Sequence, residues 1–288
     1  MPIVGANFVF LGDYVDRGAW GLECALYIAA FKVLCPNKVT MLRGNHEVRS
    51  LQKHYSYYRE CIAKYGETYG LKIFELSNRI FDRLPVCALV DDAIFCCHGG
   101  IPHAAQTIDQ ICKVKRVLME PDKEALIAWE ILWSDPANQQ EFLDTCEMRN
   151  VNPETANGFV FNTKRGTAFK FNEAGADTFL KANGLSHIIR AHEVAPVSFW
   201  AFCLKNPTDI FFLQPGYVFH FINKCVTIFR FVVQKAKVCY LYYSHFRLNI
   251  FSTSHYCGNS NECGFILADN HRLRVIVLDT ANNASATE

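Results

Sequence analysis

The chain has 288 residues, a formal net charge of +1, 20% charged residues and 50% hydrophobic residues. This is an ordinary globular composition, with apolar residues enough for a sizeable core. The near-zero charge excludes a basic field for nucleic acid, so an anionic substrate has to be held by a few placed arginines or by metals.

Thirteen cysteines are present, an odd number, and none is spaced C-x-x-C. The start, MPIVGANFVF, has no basic region ahead of an apolar one. Both features predict reduced thiols, most of them small core hydrophobes, in a cytosolic or nuclear protein. No membrane span is expected, because no uncharged run approaches the roughly 20 residues that one needs.

In chain order, NFVFLGD (7–13) predicts a short buried strand that ends in Gly-Asp. AWGLECALYIAAFKVLCP (19–36) predicts a largely buried helix stopped by Pro36, and KVTML (38–42) a second strand. Strand, helix and strand make a βαβ unit with parallel pairing. From Tyr55 to Leu84 the pattern is helical, with breaks at Gly66 or Gly70. Its apolar stripe runs through Ile73, Leu76, Ile80 and Leu84, widened by Phe81. VCALVDDAIFCCHGG (86–100) predicts a hairpin turning at Asp91-Asp92. Asp135-Pro136 reads as a turn after a packed Trp133, GTAFKFN (166–172) as a strand, and Ile188–Ala191 as another.

Polar clusters follow four of these strands. The first ends in Asp13, with Asp16 and Arg17 just after, and the second in Arg43-Gly44-Asn45-His46-Glu47. The third ends in His98-Gly99-Gly100 and the fourth in His192-Glu193. Ligands of open α/β sheets bind beyond the carboxyl ends of the strands. Taken singly, His98 reads as a structural histidine and Asp13 as a helix cap. Together, Asp13, Asn45, His98 and His192 form a mixed oxygen and nitrogen set suited to Mn, Fe or Zn. Two such ions can bind phosphate oxygens and activate a water.

GDYVDRG (12–18), GNHE (44–47), HGG (98–100) and RAH (190–192) resemble the signature blocks of the PPP family of metal-dependent serine/threonine protein phosphatases. LWSDP (132–136), KRG (164–166), GYVF (216–219), CVTIF (225–229) and HYCG (255–258) resemble further blocks in the same order. The resemblance implies an α/β metallophosphoesterase fold, a two-sheet sandwich flanked by helices with the site at the strand ends. It implies hydrolysis of phosphoserine and phosphothreonine by a metal-activated water, with two divalent metals, phosphoprotein substrates and regulatory subunits. Asp13 would bridge the metals, with Asn45, His98 and His192 completing one ligand set. His46 would be the proton donor, oriented by Asp16, and Arg17, Arg165 and Tyr256 would bind phosphate. Glu47, Arg43 and Arg190 are expected to brace backbone or carboxylates.

The chain departs from the family pattern in three places. No GDxHG block occurs, so one metal site would keep only Asp13, and the strand bearing that block would leave a neighbour's edge open. The stretches 198–215 and 230–251 interrupt a single catalytic domain spanning 1–288, as retained introns would. His255 stands where the commonest family form has Asn. Two other readings follow: a catalytically impaired phosphoprotein-binding scaffold, and a phosphoesterase for dinucleotides or small phosphoesters.

Overall fold

The computed structural model describes residues 7–193, 217–221, 224–228, 239–242, 248–249, 263–269 and 272–278. Strand β1 (Asn7–Phe10), helix α1 (Gly21–Leu34) and strand β2 (Val39–Met41) form the expected βαβ unit, parallel with Phe8 opposite Val39. Helix α1 is less buried than its apolar composition predicts. Only Gly21, Leu22 and Ala25 are buried, while Leu26, Tyr27, Val33 and Leu34 are exposed. The helix packs one face toward β2 and the long helix that follows.

The helix predicted from Tyr55 onward is α3 (Tyr57–Phe81), and a short helix not expected from sequence, α2 (Arg49–His54), precedes it. The Asp16 carboxylate accepts the N–H groups of Ser56 and Tyr57 at 3.1 and 2.7 Å, satisfying donors that open α3. The break inside α3 is at Gly66, whose φ of 71° and ψ of 172° leave helical geometry. Gly70 has a packing role instead, since a Cβ there would meet the Cys61 carbonyl oxygen at 2.6 Å.

The buried stripe of α3 also differs from the expected one. Phe74, Ser77, Asn78 and Phe81 face inward, whereas Leu76 and Ile80 are exposed. Counting apolar residues alone misplaces the face, because Ser77 and Asn78 bring their partners inside. Tyr57 Oη donates to Ser77 Oγ at 2.8 Å, and Asn78 Nδ2 donates to Gln52 Oε1 at 2.7 Å. A buried polar group so satisfied loses its burial penalty.

Strands β3 (Cys87–Val90) and β4 (Ile94–Cys97) form the predicted hairpin. Asp91 and Asp92 both have positive φ, the twist that hairpin turns require. Helices α4 (Ile108–Cys112), α5 (Pro121–Glu124) and α6 (Leu126–Trp133) follow. Asp135–Pro136, expected as a turn, is strand β5. After α7 (Gln139–Met148) come β6 (Phe159–Phe161) and β7 (Phe169–Phe171), and β5 pairs parallel with β7. Helix α8 (Glu173–Asn183) leads to β8 (His187–Arg190).

Six strands complete the described chain: β9 (Tyr217–His220), β10 (Cys225–Ile228), β11 (Cys239–Tyr242), β12 (Leu248–Asn249), β13 (Cys263–Asp269) and β14 (Arg272–Leu278). The sheets run β11-β14-β13-β12-β1-β2, β3-β4-β8-β10-β9 and β5-β7-β6. The edge of β1 expected to be open is instead paired, parallel, with β12. β11 and β12 both fall within 230–251; the stretch 198–215 lies outside the described residues.

Two cores flank the strand ends. One gathers Phe95, Ile188, Phe171, Phe179 and Leu180 between the second sheet and α8. The other gathers Val39, Met41, Leu22, Tyr57, Phe74 and Phe81 around α3. Each large apolar side chain buried there contributes about 1.5–3 kcal/mol. These cores hold β1, β2, β4 and β8 rigidly, so the loops at their carboxyl ends meet at one place.

Candidate active site

The loop after β1 meets the loop after β2 at a glycine–glycine contact. A Cβ on Gly12, whose φ is +96°, would lie 2.3 Å from the Gly44 nitrogen. Only glycines allow this approach, and it sets Asp13 beside Asn45 and His46. Glu47 then ties the crossing together, accepting N–H groups of Asp13, Tyr14 and Gly44 at 2.8, 2.7 and 2.8 Å. Burial and the adjacent Asp13 charge push its carboxyl up to about 7. Arg43 braces the same loop, donating to the Glu47 and Leu118 carbonyls. Glu47 and Arg43 thus hold backbone, as expected from sequence.

The ligand set converges. Ligand atoms of Asp13, His98 and His192 all lie within 4.8 Å of one another, the one such group among the described residues. His98 Nδ1 donates to the Leu11 carbonyl at 2.7 Å. A neutral ring therefore turns a bare lone pair at Nε2 into the site. That nitrogen lies 2.9 Å from Asn45 Oδ1, 3.1 Å from His192 Nδ1 and 3.3 Å from Asp13 Oδ2. Lone pairs facing lone pairs in a buried place need a cation between them. The donor set, one carboxylate, one amide oxygen and two imidazoles, fits a borderline divalent metal. Burial holds the His192 imidazole well below its usual range, so it offers a lone pair. Burial works against the charge on Asp13, but His98 and His46 outweigh it and keep that carboxyl ionised.

His46 stands next to this cluster with a different arrangement. Its Nδ1 is 2.8 Å from Asp16 Oδ2, a carboxylate that can only accept, so Nδ1 carries the proton. Its backbone N–H donates to Asp13 Oδ1 at 3.1 Å. Burial alone would lower the imidazole, but the charges on Asp13 and Asp16 outweigh it and raise the ring. A raised histidine with Nε2 left over is equipped to deliver a proton. Gln52 Nε2 steadies the loop from behind by donating to the His46 carbonyl at 3.0 Å.

The arginines divide into grips and braces. Arg165 Nε donates to Asp135 Oδ2 at 2.8 Å, and its Nη2 reaches the His192 carbonyl at 3.5 Å. Arg17 is exposed on the other side, its guanidinium 5.0 Å above the Tyr55 ring, which stands edge-on to His46. Arg190 is fully buried and donates to the Gly99 carbonyl, to Asp135 at 2.7 Å and to Glu193 at 2.9 Å. Asp135 is the residue that sequence reasoning missed. It is buried, orients both Arg165 and Arg190, and lies 4.0 Å from His192 Nε2, a buried atom without a hydrogen-bond partner. Its signals in the sequence were its place in the LWSDP block and the apolar run that it closes. Tyr256 lies outside the described residues.

Backbone strain marks the same place. Asp13, Asp16, Arg17 and His192 all have φ between 60° and 72°. Positive φ in such residues persists where surrounding structure over-determines it, most often at functional sites.

Comparisons with known proteins agree with this geometry. Residues 4–196 match the family model for calcineurin-like phosphoesterases. The chain is 35% identical over 194 residues to a PP2A-like serine/threonine-protein phosphatase of Saccharomyces cerevisiae, covering 67% of this chain and 50% of that protein. It is 38% identical over 188 residues to a protein phosphatase 2A catalytic subunit from Dictyostelium discoideum, covering 65% and 53%. The chain thus spans about half the length of these curated relatives. A solved Saccharomyces cerevisiae protein serine/threonine phosphatase, described as similar to human phosphatase PP5, shares the fold at a TM-score of 0.63. That match has 24% identity and covers 94% of this chain and 70% of the other. The match over two thirds of its length, laid on strand ends that bring Asp13, Asn45, His98 and His192 together, shows that the chain belongs to the calcineurin-like phosphoesterase family.

Proposed function

We propose that the chain hydrolyses phosphoserine and phosphothreonine in proteins. The observation that carries this is the side-by-side placement of a convergent ligand cluster and a proton-bearing His46–Asp16 pair. Asp13, Asn45, His98 and His192 would hold a divalent metal of the Mn, Fe or Zn class. When bound, such a metal supplies Lewis-acid activation of water and neutralises phosphate charge. By the family resemblance, Asp13 would also contribute to a second metal. Arg165, aimed by Asp135, and Arg17, above Tyr55, offer guanidinium forks to the phosphate oxygens. His46 hands the proton at Nε2 to the departing serine or threonine oxygen, and Asp16 stabilises the ring through Nδ1 as it does so.

In this reading the substrates are phosphoproteins and regulatory subunits set specificity, with no role for nucleic acid. The compartment is the cytoplasm or nucleus. Among the described residues no helix is long and apolar enough to cross a membrane. The test compares turnover of phosphoserine peptides and of dinucleoside polyphosphates with manganese added. Selective release of phosphate from the peptides is expected. Preference for the dinucleotide would turn the assignment to a small-molecule phosphoesterase. Peptide binding that depends on Arg165 without any turnover would turn it to a scaffold.

A further inference from the structure

The outer face of α3 carries Leu76, Arg79 and Ile80, and the turn just past its end adds Arg83 and Leu84, the latter partly buried against the core. These five residues line an open groove of about 560 Å³. Leu76 is 56% and Ile80 41% exposed, although both lie on the stripe that the helical period assigns to the core. Neither arginine has an acidic partner among the described ion pairs. Arg83 donates to the Arg79 carbonyl at 2.6 Å, and the nearby acids are engaged elsewhere. Glu75 lies 3.8 Å from Arg49, and Asp82 accepts both terminal nitrogens of Arg49 at 2.5 and 2.8 Å.

We infer that this face is a docking site for an amphipathic helix of a partner protein, presenting an apolar row beside an acidic one. An apolar ridge alone would take many occupants. The adjoining cationic row selects one, because glutamates or aspartates set beside the partner's apolar row would meet Arg79 and Arg83. A second copy of this chain fits badly, since a two-fold pairing would gather four guanidiniums at one interface.

The inner face of the same helix holds the catalytic loop. Asn78 donates to Gln52, Gln52 donates to the His46 carbonyl, and Asp82 binds Arg49. The partner would therefore sit directly behind the residue proposed to donate the proton, and away from the phosphate side.

The test uses the full chain and a fluorescent synthetic helix of about 16 residues, with leucine at every fourth position and glutamate at the adjoining positions. Fluorescence anisotropy should show it binding about ten-fold or more tightly than the same helix with lysines for glutamates. Arg79→Glu combined with Arg83→Glu should reverse that preference, and Ile80→Asp should weaken both peptides. All three positions are exposed, so the fold tolerates the changes, and circular dichroism verifies this. Equal affinity for the two peptides, no binding of either, or binding unchanged in the arginine variant would overturn the proposal. So would recovery of the chain on phosphatidylserine vesicles with no peptide bound. Binding is read without turnover, so failure here leaves the proposed hydrolysis untouched.

Discussion

His46 and His98 are two imidazoles at one place with opposite Nδ1 partners, and this difference underlies the separate roles proposed for them. His98 gives its Nδ1 proton to a neutral carbonyl and presents a lone pair, whereas His46 points its Nδ1 proton at a carboxylate. His46→Asn should therefore lower turnover about 10²–10⁴-fold while metal content stays near the parent value. His98→Asn should lose the metal as well; elemental analysis beside kinetics distinguishes the two. Equal metal loss in both variants contradicts the division of labour. Asp135 invites a second experiment. Asp135→Asn keeps the shape but removes a charge that neutralises the buried Arg190, so urea melts should lose about 3–5 kcal/mol. The Michaelis constant for a phosphorylated substrate should rise at the same time, because Arg165 loses its aim. A variant as stable as the parent would refute this role. The ligand residues were legible because each follows an apolar run, with glycine in three of the four clusters. Asp135 was not, because its meaning depends on two arginines that reach it from sequence-distant segments.

At the scale of the element, the crossing of the two loops at Gly12 and Gly44 can be separated from simple backbone strain. Gly12 and Gly66 both have positive φ, but a Cβ on Gly66 meets nothing within 4 Å. Gly66→Ala should cost about 1–3 kcal/mol, because φ 71° with ψ 172° is a conformation that essentially only glycine adopts. Gly12→Ala adds a backbone clash and should cost several kcal/mol more, read as a lower urea midpoint or as insoluble protein. Similar losses from both would show that the close approach is dispensable. Periodicity foretold β1, β2 and the β3–β4 hairpin, because local pattern and tertiary packing agree there, and it foretold α1 but not the exposure of its outer face. It failed on α3, where Ser77 and Asn78 turn inward to bond Tyr57 and Gln52. No period of apolar residues records that choice.

Across the whole molecule, the cluster joins two sheets. Asp13 and Asn45 come from strands of the six-stranded sheet, and His98 and His192 from strands of the five-stranded one. A metal held there binds the folded chain and not the unfolded one, so it stabilises by mass action. At free metal a hundred times Kd the gain is about 2.7 kcal/mol. Stripping metal with a chelator should lower the melting temperature and speed proteolysis, and manganese or zinc should restore both. His98→Asn should show no such response; a parent protein indifferent to chelator would sink the cross-sheet role. The order of synthesis adds a further consequence. His192 lies 94 residues beyond His98, its neighbour in the cluster. At translation rates of about 5–20 residues per second, the growing chain spends roughly 5–20 s with Asp13, Asn45 and His98 made and their fourth ligand still unmade. A nascent polypeptide therefore emerges with three of the four proposed ligands, and a metal bound by all four would wait until β8 has cleared the ribosome.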